Sequence, residues 1–471
     1  MTSTSSLKTV VTETGQKQPA PSGANCKRGQ YWFARNTGSP FPWTRSDVHR
    51  VIFRCAIMGV AACIPFSPGG CRICLTLLVI NWLAEGRWTA KIRLAFRNPV
   101  MICCALCYLW EIAGVIHTHH FQSDLHHAET EASFLVIPLL FFSNPELPRH
   151  FVRRTMRIFC VSVALTALYC LVANTIGYLK AGNPSRFFYH ALVAPVHQHA
   201  VYFSIYVFIC IAWLLHDLGH RLPRRKLSLQ LILLACFCGW LFLLRSKMVV
   251  GIILVYACLL AIRSLIAPHR KTSMLLAALA ILLGTLIAFN TPNPLSRQMR
   301  GVDASDLRIW QVSHFSPDDY FNEVQLRVTL WKFSLEILAE THSWLTGVSA
   351  GDAHFQINRQ ITSHGMYTGV PGTSDTGYLN YNLHNQFLET LLRSGAIGLM
   401  LLLAFLYAVF RRAVAAKDGM LLATLGVFCC VFLTESVLER QIGIVPFFFF
   451  LCLLLAGRHP ATRAPLQETH S

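Results

Sequence analysis

Four basic residues and one histidine stand beside apolar segments, where such side chains can bind an anion and accept a proton. The basic residues are Arg186, Arg245, Lys247 and Arg327. Arginine binds a phosphate group through two parallel hydrogen bonds, whereas lysine acts as a point charge. His384 is a candidate general base, because a histidine with the ordinary pKa of about 6.5 is mostly neutral near pH 7. These residue types can bind an anionic ligand such as a diphosphate and accept a proton beside it.

The composition indicates that lipid, and not only water, surrounds the elements that position these residues. Of the 471 residues, 54% are hydrophobic and only 14% are charged, whereas soluble domains contain about 25% charged residues. The formal net charge of +18 would indicate nucleic acid in a soluble protein. Here the positive charges concentrate in alternate connectors between apolar runs, so we expect membrane topology and no nucleic-acid partner.

Apolar runs predict an all-α integral membrane protein of about 12 transmembrane helices, each crossing with about 20 residues or somewhat fewer. The runs are 51–66, 70–84, 99–116, 132–143, 156–179, 198–216, 228–244, 247–267, 273–290, 386–411, 420–435 and 441–457. They divide the chain into a polar cytoplasmic tail (1–50), nine helices (51–290), a large loop (291–385), three helices (386–457) and a second cytoplasmic tail (458–471).

The basic connectors determine the predicted orientation. Clusters of Arg and Lys follow every second apolar run, whereas residues 117–131 contain neither Arg nor Lys. Under the positive-inside rule the basic connectors and both termini are cytoplasmic, and the loop 291–385 lies outside. Within that loop Val324–Leu338 has one apolar face and predicts an amphipathic helix, with Gly- and Asn-rich loops such as Gly369–Asn385 around it.

The candidate cations and His384 all fall on the predicted outer side, where the positive-inside rule expects few Arg and Lys residues. An anionic ligand in the outer leaflet explains why several are present there. Taken singly, each of these cations also has an ordinary explanation, because Arg and Lys side chains at helix ends extend toward lipid headgroups.

Two other patterns have the spacing of metal sites. Cysteines at 71 and 74, and at 103, 104 and 107, lie within apolar runs, where cysteine usually serves as a small apolar residue. Five histidines between 117 and 127, together with Asp124 and Glu129, have the side chains that bind Zn²⁺ or Cu²⁺. No fixed scaffold supports such a site, so we favour a solvated stretch and expect no metal or other cofactor.

The segment His384–Gly398 resembles the signature of the O-antigen ligase and polymerase family. It reads His384-Asn385-Gln386-Phe387-Leu388-Glu389-Thr390-Leu391-Leu392-Arg393-Ser394-Gly395-Ala396-Ile397-Gly398. Three further stretches also resemble sequences of that family, namely Leu326-Arg327 with Trp331, Gly347–Asp352, and Thr434–Gly443. The resemblance covers about 150–457 and is strongest over 324–400. It departs at one turn, where the family commonly has Ser-Arg and this chain has Arg245-Ser246-Lys247, so either cation can take the phosphate-binding role.

The resemblance implies a GT-C-like membrane glycosyltransferase of the bacterial inner membrane with its active site facing the periplasm. The donor would be a glycan on undecaprenyl diphosphate, and the acceptor would be lipid A–core for a ligase or a second lipid-linked glycan for a polymerase. Arg186, Arg245 or Lys247, and Arg327 would bind the diphosphate. His384 would be the general base and Asn385 would support it. Glu389 is an alternative base, although its spacing from Arg393 favours a structural ion pair.

Two other classes of protein remain alternatives. A polysaccharide or lipid transporter would place paired charges near the bilayer midplane, where Arg54 is the main candidate. A non-enzymatic assembly or sensor protein would use the outer loop as a binding platform. Both classes should tolerate replacement of His384, whereas a transferase should not.

Overall fold

The computed structural model describes residues 44–144, 147–218, 224–266 and 304–457, together with positions 281 and 284. The side chains of 224–226, 247, 263–266, 304 and 305 are not described. The chain divides into two units, 1–48 and 49–471, and the features below belong to the second, apart from residues 45–48 at the start of the first helix. The predictions for most of the N-terminal tail, for nearly all of the run 273–290 and for the tail 458–471 lie outside the described residues.

Every regular element in these ranges is helical. The helices are α1 (Arg45–Cys63), α2 (Pro68–Glu85), α3 (Trp88–Ala95), α4 (Pro99–Gly114), α5 (Phe121–Glu131), α6 (Ser133–Phe142), α7 (Arg149–Ala181), α8 (Tyr189–Val193), α9 (Ala200–Leu218), α10 (Arg224–Leu244), α11 (Lys247–Ile266), α12 (Glu323–Glu340), α13 (Ala350–Ser363), α14 (Gln386–Ala415), α15 (Gly419–Val431) and α16 (Gln441–Ala456). Short 3₁₀ helices lie between them at Val115–His117, Pro184–Phe187, Ala194–Val196, Ala304–Gln311 and Val437–Glu439.

Five helical segments in the described part of the chain are long and apolar enough to cross a membrane. They are Pro99–His117, Arg149–Ala181, Ala200–Leu218, Leu227–Leu244 and Gln386–Ala415. Shorter apolar helices occur at Met248–Ile262, Gly419–Val431 and Gln441–Ala456. The regular structure of the described residues is therefore all helical and of the kind that membranes accommodate, while the count of 12 crossings stays a prediction. Each predicted apolar run that lies within the described residues coincides with a helix over most of its length.

The core forms around α9 and α16, which are apolar on every side. In α9, 94% of the apolar stretch that is long enough to cross a membrane is buried within the protein. This helix packs against α7, α10, α11 and α15. In α16, the rings Phe447–Phe450 are buried against α6, α7, α14 and α15. A helix that is hydrophobic all round must be enclosed, so these two helices form the centre around which the others pack.

We call the described part of the predicted outer loop, residues 304–385, the outer segment. A break in α14 joins this segment to the helical bundle. Gly395 has φ 66° and ψ −170°, which interrupts the helix. Residues 344–349 hydrogen-bond to the backbone exposed by this break, and Val348 N donates to Leu392 O at 2.9 Å while Ala396 N donates to Trp344 O at 2.8 Å. An ideal Cβ built on Gly395 would lie 2.2 Å from Leu345 O. The close approach of two backbones explains the glycine.

The helix boundaries differ from the sequence prediction where charged residues adjoin apolar runs. The helix predicted over 156–179 begins at Arg149, and the one predicted over 51–66 begins at Arg45. Arg and Lys favour helix and are excluded only from the hydrocarbon, so hydropathy underestimates the length of the helix. The His-rich stretch expected as a solvated segment forms α5, and the outer loop contains α13 besides the predicted amphipathic helix, which is α12.

Candidate functional site

Glu435 brings together Arg327 and His384, which the sequence had singled out separately. Arg327 Nη2 donates to Glu435 Oε1 at 3.4 Å, and His384 Nδ1 lies 3.3 Å from Glu435 Oε2. The three residues lie where α9, α14 and α16 begin and α7 ends, which we call the outer end, following the predicted orientation. One carboxylate thus orients a cation on α12 and an imidazole at the start of α14.

Local hydrogen bonds place Arg327 and His384. Asn322 caps α12 through a capping box with Gln325, which fixes the start of the helix that presents Arg327. Trp331 Nε1, one turn later on the same helix, donates to Leu383 O at 2.8 Å and so anchors the residue before His384. The amide oxygen of Asn385 accepts from Phe387 N and Leu388 N and begins α14. Asn385 therefore serves as a helix cap beside the site.

The carboxylate of Glu435 is ionised at neutral pH. Glu435 is only 8% exposed, and burial by itself raises the pKa of a carboxyl group. The hydrogen bond with His384 and the charges of His384 and Arg327 outweigh burial and hold the pKa of Glu435 below its usual value of 4.5. A buried carboxylate that contacts both a guanidinium and an imidazole is stable in this form.

A second cation adjoins this group through the turn between α7 and α8. The guanidinium of Arg245 lies 3.8 Å from the centre of the Phe188 ring. The next residue, Tyr189, is within electrostatic range of Glu323, Glu435 and Arg327, and burial followed by the two carboxylates raises its pKa to about 12. Tyr189, Arg245 and His384 have φ of 53°, 50° and 46°. Such left-handed backbone is uncommon outside glycine and concentrates at functional sites.

The remaining candidate cations are placed differently. The guanidinium of Arg186 lies against Gly177 of α7, where an ideal Cβ would be 2.7 Å from Arg186 Nη1. Arg186 therefore stands at the outer end of α7, two residues before the ring on which Arg245 stacks. The side chain of Lys247 lies outside the described residues. At this turn the structure describes only the side chain of Arg245, which stacks on Phe188, so the choice between Arg245 and Lys247 stays open.

Residues that sequence reasoning missed complete the surroundings of Glu435. The ring centres of His190 and His199 are 4.3 Å apart. Burial, followed by the charge of His190, lowers the pKa of His199 to about 4, although Glu435 acts in the opposite direction. Arg440 is also within electrostatic range of His199. An acidic residue at the end of an apolar run was the available signal for Glu435; the two histidines had no such signal.

Glu389 and Arg393 have structural contacts. Glu389 Oε2 accepts from Leu383 N at 3.1 Å and from the Ser436 hydroxyl at 3.2 Å, so it holds the two loops next to His384. Arg393 Nη2 donates to Glu131 Oε1 at 2.6 Å with both side chains buried. Arg393 makes its ion pair with Glu131 of α5, and not with Glu389, the partner that the sequence spacing favoured.

The His-rich stretch holds the outer segment to the bundle. His120 Nδ1 lies 2.6 Å from Asp352 Oδ1, and Asp124 Oδ1 accepts from Gly351 N. These contacts tie α5 to the start of α13. Among the described residues no group of three or more His, Cys, Asp or Glu side chains is arranged to hold a metal ion. The described cysteines are free thiols in or beside apolar helices.

The arrangement can bind an anion and accept a proton at adjacent points. Arg327 uses one of its five N–H donors on Glu435, so the others are available to a phosphate. When His384 Nδ1 donates to Glu435, Nε2 carries the lone pair that accepts a proton.

The chain matches no protein-family model, and no curated protein matches it either.

Proposed function

We propose that this chain is a membrane glycosyltransferase that moves a glycan from undecaprenyl diphosphate to an acceptor hydroxyl at the periplasmic face of the bacterial inner membrane. Within that class we favour an O-antigen ligase, whose acceptor is lipid A–core. The observation that supports the proposal is the contact of one buried carboxylate, Glu435, with both Arg327 and His384. The resemblance of the segment around His384 to the O-antigen ligase and polymerase family supports the glycan donor.

The reaction requires a proton acceptor on one side of the sugar and cations on the other. The acceptor hydroxyl oxygen forms a bond to the anomeric carbon, and the bond from that carbon to the diphosphate oxygen breaks. His384 Nε2 takes the hydroxyl proton, which later passes to water, and the electron pair of the broken bond leaves with undecaprenyl diphosphate. Glu435 stabilises the imidazolium that forms, as the carboxylate of a nucleophile–histidine–carboxylate triad does.

Arginines stabilise the departing diphosphate. Negative charge increases on the leaving oxygen as the glycosidic bond breaks, and guanidinium groups held in place beforehand lower the barrier without reorganising. Arg327 presents its free N–H donors next to His384, and Arg245 is held by stacking on Phe188. Arg186 extends the positive surface along the end of α7. In this scheme guanidinium groups neutralise the phosphate charge, and the chemistry calls for no further cofactor.

The test is transfer by the purified protein in detergent, with lipid-linked O-antigen as donor and rough lipopolysaccharide as acceptor. A ligase forms smooth lipopolysaccharide, which a gel resolves as a ladder. In cells, deletion of a ligase leaves full-length polymer on its lipid carrier, whereas deletion of a polymerase leaves single repeat units on lipid A–core. Binding of the donor without product, both with rough lipopolysaccharide and with a second lipid-linked glycan as acceptor, would contradict the transferase proposal. That result would favour a transporter or scaffold.

A further inference from the structure

A cleft of about 260 Å³ lies beside His384, between the loop before α14, helices α5 and α13, and the start of α16. Tyr381, Asn382 and Leu383, the three residues before His384, form one wall. His127 of α5 and His354 of α13 lie on the opposite wall. The lining includes neither Arg186, Arg245 nor Arg327, so the cleft is separate from the candidate diphosphate site.

Several polar groups of the cleft are fixed by hydrogen bonds. Asn380 Oδ1 lies 2.7 Å from His354 Nε2 and accepts from Asn358 Nδ2 at 3.3 Å. Asn380 N in turn donates to Asn358 Oδ1 at 3.0 Å, and Asn380 has a left-handed backbone with φ 68°. Asn382 Nδ2 donates to Glu439 Oε2 at 2.5 Å. These side chains are therefore oriented in the absence of a ligand, which reduces the entropy cost of binding.

The cleft is polar but close to neutral. Burial, followed by the charge of Arg393, lowers the pKa of His127 to about 3, so this histidine is uncharged at neutral pH. Glu439 and Arg440 supply one charge of each sign. Arg393 and Glu389 also reach the cleft, but the first is paired with Glu131 and the second accepts from Leu383 and Ser436. A diphosphate would need an excess of cations, which this lining lacks.

Two aromatic rings give the cleft apolar faces among its amides. Tyr381 is 38% exposed and Phe355 is 44% exposed, although both rings line the cleft. The ring of His120 stacks on Phe355 at 3.6 Å and holds it in place. Amide donors and acceptors beside accessible aromatic faces suit a molecule with hydroxyl groups around its edge and C–H groups on its face. An uncharged sugar ring has this chemistry.

We propose that the cleft formed by α5, α13 and the loop before His384 binds an uncharged sugar ring of the acceptor glycan. This inference rests on the proposed transferase function for the assignment to the acceptor. The donor's diphosphate belongs with Arg245 and Arg327, which do not line the cleft. The acceptor hydroxyl must reach His384, whose three preceding residues form the cleft wall. Tyr381 stacks on the ring, and the amides of Asn380 and Asn382 bind its hydroxyls.

The experiment measures kinetics and binding for Tyr381→Ala and Tyr381→Phe in the purified full-length chain. We expect Tyr381→Ala to raise KM for the lipid A–core acceptor about three- to tenfold, as expected for losing the apolar contact of one ring. KM for the donor and kcat at saturating acceptor should stay unchanged, and Tyr381→Phe should restore the acceptor KM. The matched controls are Arg359→Ala, on the exposed side of α13, and Tyr320→Ala, an exposed tyrosine outside the cleft.

Calorimetric titration with water-soluble core oligosaccharide, released from lipid A, separates the two proposals. Transfer by the wild type with an unchanged acceptor KM in Tyr381→Ala would overturn the cleft assignment and leave the transferase proposal standing. Binding of the oligosaccharide that Tyr381→Ala weakens, without any transfer by the wild type, would retain a glycan site and overturn the transferase. Absence of both binding and transfer would overturn both. A fall in kcat alone would show that Tyr381 acts on His384 and not on the acceptor.

Discussion

Glu435 stands between a cation that can bind phosphate and an imidazole that can accept a proton. Its contacts with Arg327 and His384 measure 3.4 and 3.3 Å, longer than the roughly 2.7–2.9 Å of a strong charge-assisted hydrogen bond. Catalytic hydrogen bonds are often long in free enzymes and shorten when substrate binds. Arg327 and His384 are therefore paired loosely enough with Glu435 to turn toward a substrate.

The first prediction concerns the charge of Glu435, whose lowered pKa keeps it ionised across the neutral range. Glu435→Gln retains the size of the side chain but removes the charge that stabilises the imidazolium. We expect transfer to fall about 100- to 10,000-fold, because replacing the carboxylate of a catalytic triad by an amide costs about 10,000-fold. Protonation of Glu435 removes the same charge, so the wild type should lose this contribution as the pH falls through the lowered pKa of that carboxyl group, and the variant should not.

The control for this variant is Glu336→Gln on α12, since Glu336 pairs with Lys332 and His364 away from the site. It should retain the wild-type rate and profile. A Glu435→Gln enzyme with the wild-type pH–rate profile would show that the carboxylate does not act on the base.

Arg327 is predicted to stabilise the leaving diphosphate. Arg327→Ala should lower kcat/KM about 100-fold, the loss typical when one donor to a developing negative charge is removed. Arg327→Lys should restore only part, because lysine lacks the planar pair of donors. His150→Ala, on the predicted cytoplasmic side, and Arg359→Ala, on α13, are the controls for losing a basic residue. Full activity in Arg327→Ala would remove this residue from the site.

Among the elements, the broken helix α14 has the largest effect on the site, because its first turns follow His384 directly. At the join between residues 344–349 and the break, Gly347 lies against the backbone of Arg393 and Ser394. Gly395 lies against the backbone of Leu345. The backbone of Gly395 lies in a region that only glycine adopts readily. The sequence showed glycines at both positions, but not that the two segments meet, because their contact is set by the tertiary fold.

Gly395→Ala should destabilise the folded protein. The new Cβ would meet the backbone of Leu345, which cannot move aside as a flexible side chain could. We expect the free energy of unfolding to fall by about 3 kcal/mol or more, measured by thermal unfolding in detergent. Gly426→Ala in α15 is the matched control, since no atom lies within 4 Å of its ideal Cβ. That variant should stay within about 1 kcal/mol of the wild type; equal melting curves for the two would contradict the role given to the break.

At the scale of the whole molecule, hydropathy predicted the helices well and their meeting points poorly. Apolar runs form helices because each run must satisfy its own backbone hydrogen bonds in lipid. Glu435 could not be assigned in this way, because it lies 108 residues from Arg327 and 51 from His384 in the chain. The docking of α5 on α13 through His120 and Asp352 was missed for the same reason.

The orientation of the chain gives a prediction of its own. A cysteine replacing Ser316, which is exposed in the outer segment, should react with an impermeant thiol reagent in intact spheroplasts, in a background without accessible native thiols. A cysteine replacing Ala415, exposed at the far end of α14, should react only after the membrane is permeabilised. The opposite labelling pattern would place the candidate site on the cytoplasmic side and rule out a donor at the periplasmic face.

The most direct measurement is glycan transfer by purified His384→Ala, normalised to folded protein, with binding of the lipid-linked donor assayed separately. His342→Ala, an exposed histidine at the end of α12, is the control. A general base contributes about 100- to 10,000-fold to rate, so we expect transfer to fall at least about 100-fold while donor binding, which depends on the arginines, persists. Near-normal transfer per folded molecule would contradict the assignment of His384 and make Glu389 the next candidate base.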